Sequence, residues 1–336
     1  MKGISIILVL WGHCIQYLSV ESFDFFDDSA FKIIYSFHMP LFMLLSGYAN
    51  YWGHDRELKI ILNKRVRGIG IPLFIWGCLD YLLVIIQGKS PNLVDWIHSI
   101  IGIWFLWAVL CSSVYVSIVC KFPIRKDIKY LILFLSTILF VKIPNGTMVA
   151  YVYPYFVVGY ALNEFDLLKN KSFNKIVQPL CALLWIALIP VYQKKDYIYI
   201  SGLTIWIKEY GLKEQLVIDM YRYVIGLSGC LAVLMLLRLI YSFMDEHKIL
   251  TDTIELCGRH TLEIYLMQRI VLEKVIALVY KKTVMHTGVN LLMNNRFVFD
   301  LIVTPVIAVL ITIMLVKIAK MLSRNPFVKI YVFGKT

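Results

Sequence analysis

Residues 2–13 read KGISIILVLWGH: one cation, a run of almost wholly apolar residues, then a histidine. As a helix, those 11 steps cover about 16 Å at ~1.5 Å per residue. That carries the His13 imidazole to the middle of a hydrocarbon core ~30 Å thick. A titratable ring at that depth is costly unless it faces protein or water, which marks it as a functional-site candidate.

The rest of the chain has the same character. Of its 336 residues, 60% are hydrophobic and 17% charged, with a mean hydropathy of +0.72. A soluble domain has about 45–50% apolar and 25% charged residues. The chain therefore reads as an all-α polytopic membrane protein, a single domain over 1–336. About ten spans follow from the apolar runs, near 3–20, 31–52, 69–87, 97–119, 128–143, 148–164, 176–192, 219–243, 260–280 and 298–319. The first run lacks a basic leader and a small-residue cleavage site, so it is expected to stay as a helix.

Cations set the orientation. Arg56, Lys59, Lys64, Arg65 and Arg67 follow the second span; Lys121, Arg125, Lys126 and Lys129 follow the fourth; Lys169, Lys171 and Lys175 follow the sixth. The alternate loops begin acidic or nearly neutral, with Glu21, Asp24, Asp27 and Asp28, then Lys89 and Lys142. By the positive-inside rule both termini are cytoplasmic. The net charge of +12 is thereby accounted for as topology, with no nucleic-acid partner. Seven scattered cysteines without a C-x-x-C pair read as small packing residues, and an apolar setting makes Cys14 a poor nucleophile. In the long 193–218 connection, Tyr197, Tyr199, Trp206 and Tyr210 suit an interfacial or re-entrant element.

His38 lies seven residues inside the second span, about 10 Å down at helical rise. Rising from one face, His13 meets His38 descending from the other, at similar depth. Pro40 removes a backbone hydrogen bond beside it and is expected to kink the helix. The triplet Arg65-Val66-Arg67 reads either as a topology determinant or as a phosphate site, since guanidinium grips phosphate bidentately. Asp80, Arg238, Glu263, Gln268, Arg269 and Glu273 are further polar groups inside spans, with Arg269 and Glu273 spaced to pair. No cluster has metal-ligand spacing, and no G-x-S-x-G elbow or phosphate-binding loop is present.

These residues carry a resemblance. Lys2-Gly3 to His13 is similar to the Arg/Lys-x10-His first helix of the membrane acyltransferase family three, bacterial integral-membrane O-acyltransferases of surface polysaccharides. YSFHMPLFMLLSGY at 35–48 resembles the family's second helix, Arg65-Val66-Arg67 its R-x-R, and Trp104-Phe105-Leu106 its W-F-L. YPYFVVGY at 153–160 and LEIYL at 262–266 resemble its later elements, so the matches run in order along most of the chain. Lysine stands at position 2 where arginine is commoner, and family members usually carry residues before it. Gln268 stands where many members have a histidine, and no catalytic role is assigned to it.

The resemblance implies a multi-pass protein of the bacterial inner membrane, with cytoplasmic acyl-CoA, chiefly acetyl-CoA, as donor. Its acceptor would be a hydroxyl of a glycan or lipid-linked saccharide. His13 and His38 are then the catalytic candidates, and Lys2, Arg65 and Arg67 the donor-binding ones, with no metal. Succinyl transfer to an exopolysaccharide, a flippase of lipid-linked saccharides and a polysaccharide polymerase or ligase are the other readings that intramembrane His, Asp and Arg permit.

Overall fold

In a computed structural model of the chain, residues 1–19, 24–88, 90–203, 210–244, 248–284 and 295–335 are described, and every regular element among them is helical. A bilayer demands this, because a helix satisfies its own backbone groups where no water can. In order, the helices are α1 (Lys2–Leu18), α2 (Ser29–Tyr51), α3 (Leu58–Arg65), α4 (Ile71–Ile86), α5 (Leu93–Ile101), α6 (Trp104–Val119), α7 (Lys126–Leu135) and α8 (Thr137–Phe140). They continue as α9 (Gly146–Glu164), α10 (Gln178–Leu188), α11 (Ile198–Ser201), α12 (Leu212–Met244), α13 (Lys248–Arg259), α14 (Thr261–Ile270), α15 (Ala277–Val284) and α16 (Thr304–Leu322). Wider π-helical turns link α3 to α4 (Val66–Gly70) and α14 to α15 (Val271–Ile276), and precede α16 (Phe299–Val303).

Five described helices are long and apolar enough to cross a membrane: Ser29–Tyr51, Leu58–Ile86, Phe173–Val191, Leu212–Ser242 and Arg296–Leu322. The run expected as one span at 97–119 is instead two helices, α5 and α6, bent by 71°. Ile103 leaves the helix at φ −79°, ψ 54°, immediately before the W-F-L triplet that opens α6. The break strands the Ile101 carbonyl, and the Asn145 side-chain amide donates to it at 2.8 Å. Asn145 holds its place in the left-handed region (φ 53°), which asparagine tolerates better than most residues. The 128–143 run is likewise divided, at Ser136, whose hydroxyl bonds to the Leu133 carbonyl and to the Tyr153 hydroxyl. By contrast, α2 is helical from end to end with Pro40 inside it. Glu21, Lys89, Lys208 and residues 204–209 of the aromatic connection, Trp206 included, lie outside the described residues.

The chain forms two compact units. The first comprises residues 1–39, 175–196 and 222–322. Here α1 is the centre, packed on α16 and α13 and then on α14. Lipid tails are as apolar as leucine, so membrane helices associate by close packing at small residues rather than by the hydrophobic effect. Gly3 shows this: a Cβ there would stand 1.9 Å from the Ile254 carbonyl oxygen of α13. A Cβ on Gly12 would stand 2.8 Å from the Tyr35 ring.

The second unit comprises residues 40–174, 197–221 and 323–336. Its core crossing is α2 on α9. A Cβ on Gly47 would stand 1.9 Å from the Phe156 carbonyl oxygen, and one on Gly159 the same distance from that of Leu44. The S-G-Y of 46–48 and the G-Y of 159–160 are therefore explained by reciprocal backbone contact. Asn163 fastens the same crossing by donating to the Tyr48 carbonyl at 2.7 Å.

Candidate active site

Position along α1 separates its anchor from its reactive group. Residues two apart on a helix point to different faces. Trp11 takes one face: its indole N–H lies 2.9 Å from the Asp300 carbonyl and 3.0 Å from Thr304 Oγ1. That pins α1 to the helical segment leading into α16. His13 takes another face and meets α14.

The His13 ring is held through one nitrogen. Nδ1 lies 2.9 Å from Gln268 Oε1 and 3.5 Å from Glu273 Oε1. With the Gln268 amide oxygen assigned toward the ring, both neighbours are acceptors, so Nδ1 carries the hydrogen and Nε2 keeps the lone pair. Nε2 has no hydrogen-bond partner among the described residues. Glu273 is itself held by the Tyr17 hydroxyl, one turn along α1, whose ring stands edge-on to the imidazole at 5.9 Å. His13 and Glu273 side chains are about one-fifth exposed, so the ring is neither sealed in nor open.

A backbone irregularity lets Gln268 and Glu273 reach the same nitrogen. In a regular α-helix, residues five apart are about 140° apart around the axis. The π-helical turn at Val271–Ile276 carries Glu273 and widens the helix, bringing it back to the face of Gln268. LEIYL lies in the regular turns just before, with Ile264 and Leu266 buried. Sequence spacing named Gln268 and Glu273 as intramembrane polar groups but did not connect them to His13. Only the i to i+5 relation would have done so, and it is not an α-helical spacing.

His38 is 2% exposed and donates from Nδ1 to the Ile34 carbonyl at 3.0 Å. Its ring is 4.4 Å from that of Tyr35, whose hydroxyl donates to Gln16 Oε1 of α1. The two imidazoles lie within electrostatic reach of each other. Cys14 is fully buried, in keeping with a packing role. Lys2 opens α1 and is exposed.

The R-x-R belongs to the second unit. Arg65 is part-buried and donates from Nη2 to Asn50 Oδ1 at 2.5 Å, while the Asn50 amide faces Ser117 Oγ at 3.4 Å. Arg65 Nε is buried without a hydrogen-bond partner among the described residues. Arg67 is exposed. The triplet is thus divided into an inward guanidinium and an outward one, because residues two apart do not share a face. Among the described residues no cluster of three or more His, Cys, Asp or Glu side chains is placed to hold a metal.

Comparison with known proteins bears on the family of the chain. The family model described as an acyltransferase domain, that of acyltransferase family three, matches residues 1–317. Nodulation protein NolL of Sinorhizobium fredii (strain NBRC 101917 / NGR234) is 32% identical over 213 residues, 55% of this chain and 56% of that protein. Nodulation protein NolL of Mesorhizobium japonicum (strain LMG 29417 / CECT 9101 / MAFF 303099) is 32% identical over 175 residues, 47% of this chain and 45% of that protein. The matches therefore span about half the length of these relatives. No solved structure matches. With His13, the R-x-R and the later motifs all inside the matched 317 residues, this chain belongs to the membrane acyltransferase family three.

Proposed function

We propose that the protein is an O-acyltransferase that moves an acetyl group from cytoplasmic acetyl-CoA to a hydroxyl of a cell-surface or lipid-linked saccharide. It would do so from a bacterial inner membrane, crossed about ten times with both termini cytoplasmic. One observation carries the reading: a largely buried histidine whose Nδ1 faces two acceptors and whose Nε2 has no hydrogen-bond partner among the described residues.

In this mechanism His13 Nε2 takes the proton of the acceptor hydroxyl as its oxygen attacks the thioester carbonyl carbon. The tetrahedral intermediate expels the thiolate of coenzyme A, which takes the proton back from Nε2. Gln268 and Glu273 keep Nδ1–H in place and favour the imidazolium that forms in between. In the tautomer that donates to Ile34, His38 offers Nε2 as an acceptor, so its role is to fix a proton or a hydroxyl near His13 rather than to polarise the thioester. Arg67, exposed, is the guanidinium available to a donor phosphate, and Lys2 is a second cation suited to that role. Arg65, tied to Asn50, shapes the turn that presents Arg67.

The test is label transfer from radioactive acetyl-CoA to a glycan extract by purified protein. His13→Ala is expected to abolish transfer while the protein inserts and elutes as wild type. Full activity in that variant overturns the assignment, and movement of saccharide without consumption of acetyl-CoA favours a flippase instead.

A further inference from the structure

The first unit also contains a groove of about 770 Å³ that the acyl-transfer chemistry does not use. Its size is that of a ligand site, typically ~300–1,000 Å³. The walls come from Leu8 and Trp11 of α1, Ile34 and Phe37 of α2, Trp185 of α10 and Leu236 of α12, among others. Leu8 and Trp11 lie on the side of α1 away from the residues that hold His13. Ala232 to Ile240 of α12 line it over eight steps, about 12 Å at helical rise. Ile33, Ile186, Leu236, Phe297 and Leu301 line it and are exposed, so in a bilayer the groove opens toward hydrocarbon.

One end of this apolar groove is polar. Asp28 and Asp300 are 2% and 7% exposed, and their carboxyl groups lie within hydrogen-bond reach of each other. Asp28 Oδ1 accepts from the Phe31 amide at 2.6 Å. Asp300 Oδ1 is buried and receives no hydrogen bond among the described residues. Two carboxyls this close need a proton or a cation to lie together. Arg296 stands exposed at the same rim, within electrostatic reach of Asp300. The mouth therefore offers a buried acceptor for an ammonium and, beside it, a guanidinium for a phosphate.

We propose that this groove is a binding site for a zwitterionic aminophospholipid, one acyl chain along the apolar walls. Its ammonium donates to Asp300 and Asp28, and its phosphate faces Arg296. The site neither needs nor tests the acyltransfer reading. A tail gains little by leaving other tails for a leucine-lined groove, so selectivity must reside in the head group. An ammonium with N–H bonds fills the pair of carboxyls; a trimethylammonium has no hydrogen to donate, and a glycerol head has no cation.

The experiment is native mass spectrometry of the full chain in detergent, with phosphatidylethanolamine, phosphatidylcholine and phosphatidylglycerol of matched chains added equally. Phosphatidylethanolamine should be retained about tenfold over either, the factor that 1.4 kcal/mol of head-group bonding yields. Asp300→Asn should erase that preference while keeping the Trp11 bond, which uses the Asp300 backbone. Leu236→Trp should reduce retention of all three lipids by filling the groove. Should Asp300→Asn fail to fold, Asp28→Asn, whose amide oxygen still accepts from the Phe31 amide, should lower the preference for phosphatidylethanolamine by a similar factor. Equal retention of the three lipids by the wild type, or a preference that survives these head-group substitutions, overturns the proposal.

Discussion

Gln268 is the residue whose replacement most directly probes how His13 is held. Its Oε1 is the nearer of two acceptors on Nδ1, 2.9 Å against 3.5 Å for Glu273. Gln268→Leu removes the shorter bond, worth about 0.5–1.5 kcal/mol net. Leucine fills similar space, so the lost bond rather than a cavity dominates. If the bond serves to aim Nε2, that energy appears in the barrier, and kcat falls about 2- to 12-fold, with KM for the donor little changed. Loss of the base itself is larger, about 10²- to 10⁴-fold. The two variants must also be non-additive: in a His13→Ala background Gln268 has no ring to aim, so Gln268→Leu should cost nothing further. The assay is initial rates of label transfer from acetyl-CoA at saturating donor and equal protein level, from pH 5 to 9. Wild-type kcat in Gln268→Leu, or full additivity with His13→Ala, refutes the reasoning.

Three further outcomes follow from packing and charge. Gly159→Ala would set a Cβ 1.9 Å from the Leu44 carbonyl oxygen and should destabilise by about 1–3 kcal/mol. Gly211→Ala, with nothing within 4 Å, should leave thermal stability in detergent unchanged, and equal melting of the two variants would contradict the crossing described for α2 and α9. Asn145→Ala loses the bond to Ile101 and puts alanine in the left-handed region, together costing about 2 kcal/mol, whereas Asn145→Gly loses only the bond. The melting order should be wild type, Asn145→Gly, Asn145→Ala. Finally, the Lys194 ammonium, 2.7 Å from Asp24, holds that carboxyl below the usual range. A lowered carboxylate stabilises above its unfolded pKa of about 3.9 and loses that contribution as pH falls through the folded value. Asp24→Asn should therefore lower stability at pH 7 by under about 1 kcal/mol, since the pair is exposed, and by progressively less on acidification. A deficit that grows toward low pH would reverse that sign.

Much of the molecule is legible in particular residues. Apolar runs separated by cations declare membrane helices, because lipid leaves the backbone no alternative. His13 and His38 declare themselves by being expensive where they are. The glycines of S-G-Y and G-Y were readable as motif letters, yet their cause, two backbones in contact, needed the crossing of α2 and α9. Elsewhere local reading failed for a physical reason. Apolar residues on both sides carry the 97–119 run past Gly102, where α5 ends, and the 71° bend there is secured from a distance by Asn145 at the start of α9. Likewise the R-x-R offers two equivalent cations in sequence, but the fold turns Arg65 to Asn50 and leaves Arg67 outside.

By itself, then, the sequence determined the solvent this chain folds in, the family to which it belongs and the residue that marks the candidate site. Those follow from hydropathy, ordered motifs and the cost of burying a titratable ring, all of them local properties. The tertiary structure decided which nitrogen of His13 is engaged, through Gln268 of α14, 255 residues away along the chain, and Glu273 on the π-helical turn that follows. It also decided that Asp28 and Asp300 meet at the head of an apolar groove. Contacts between residues so far apart arise from helix packing, and no periodicity within either helix encodes them.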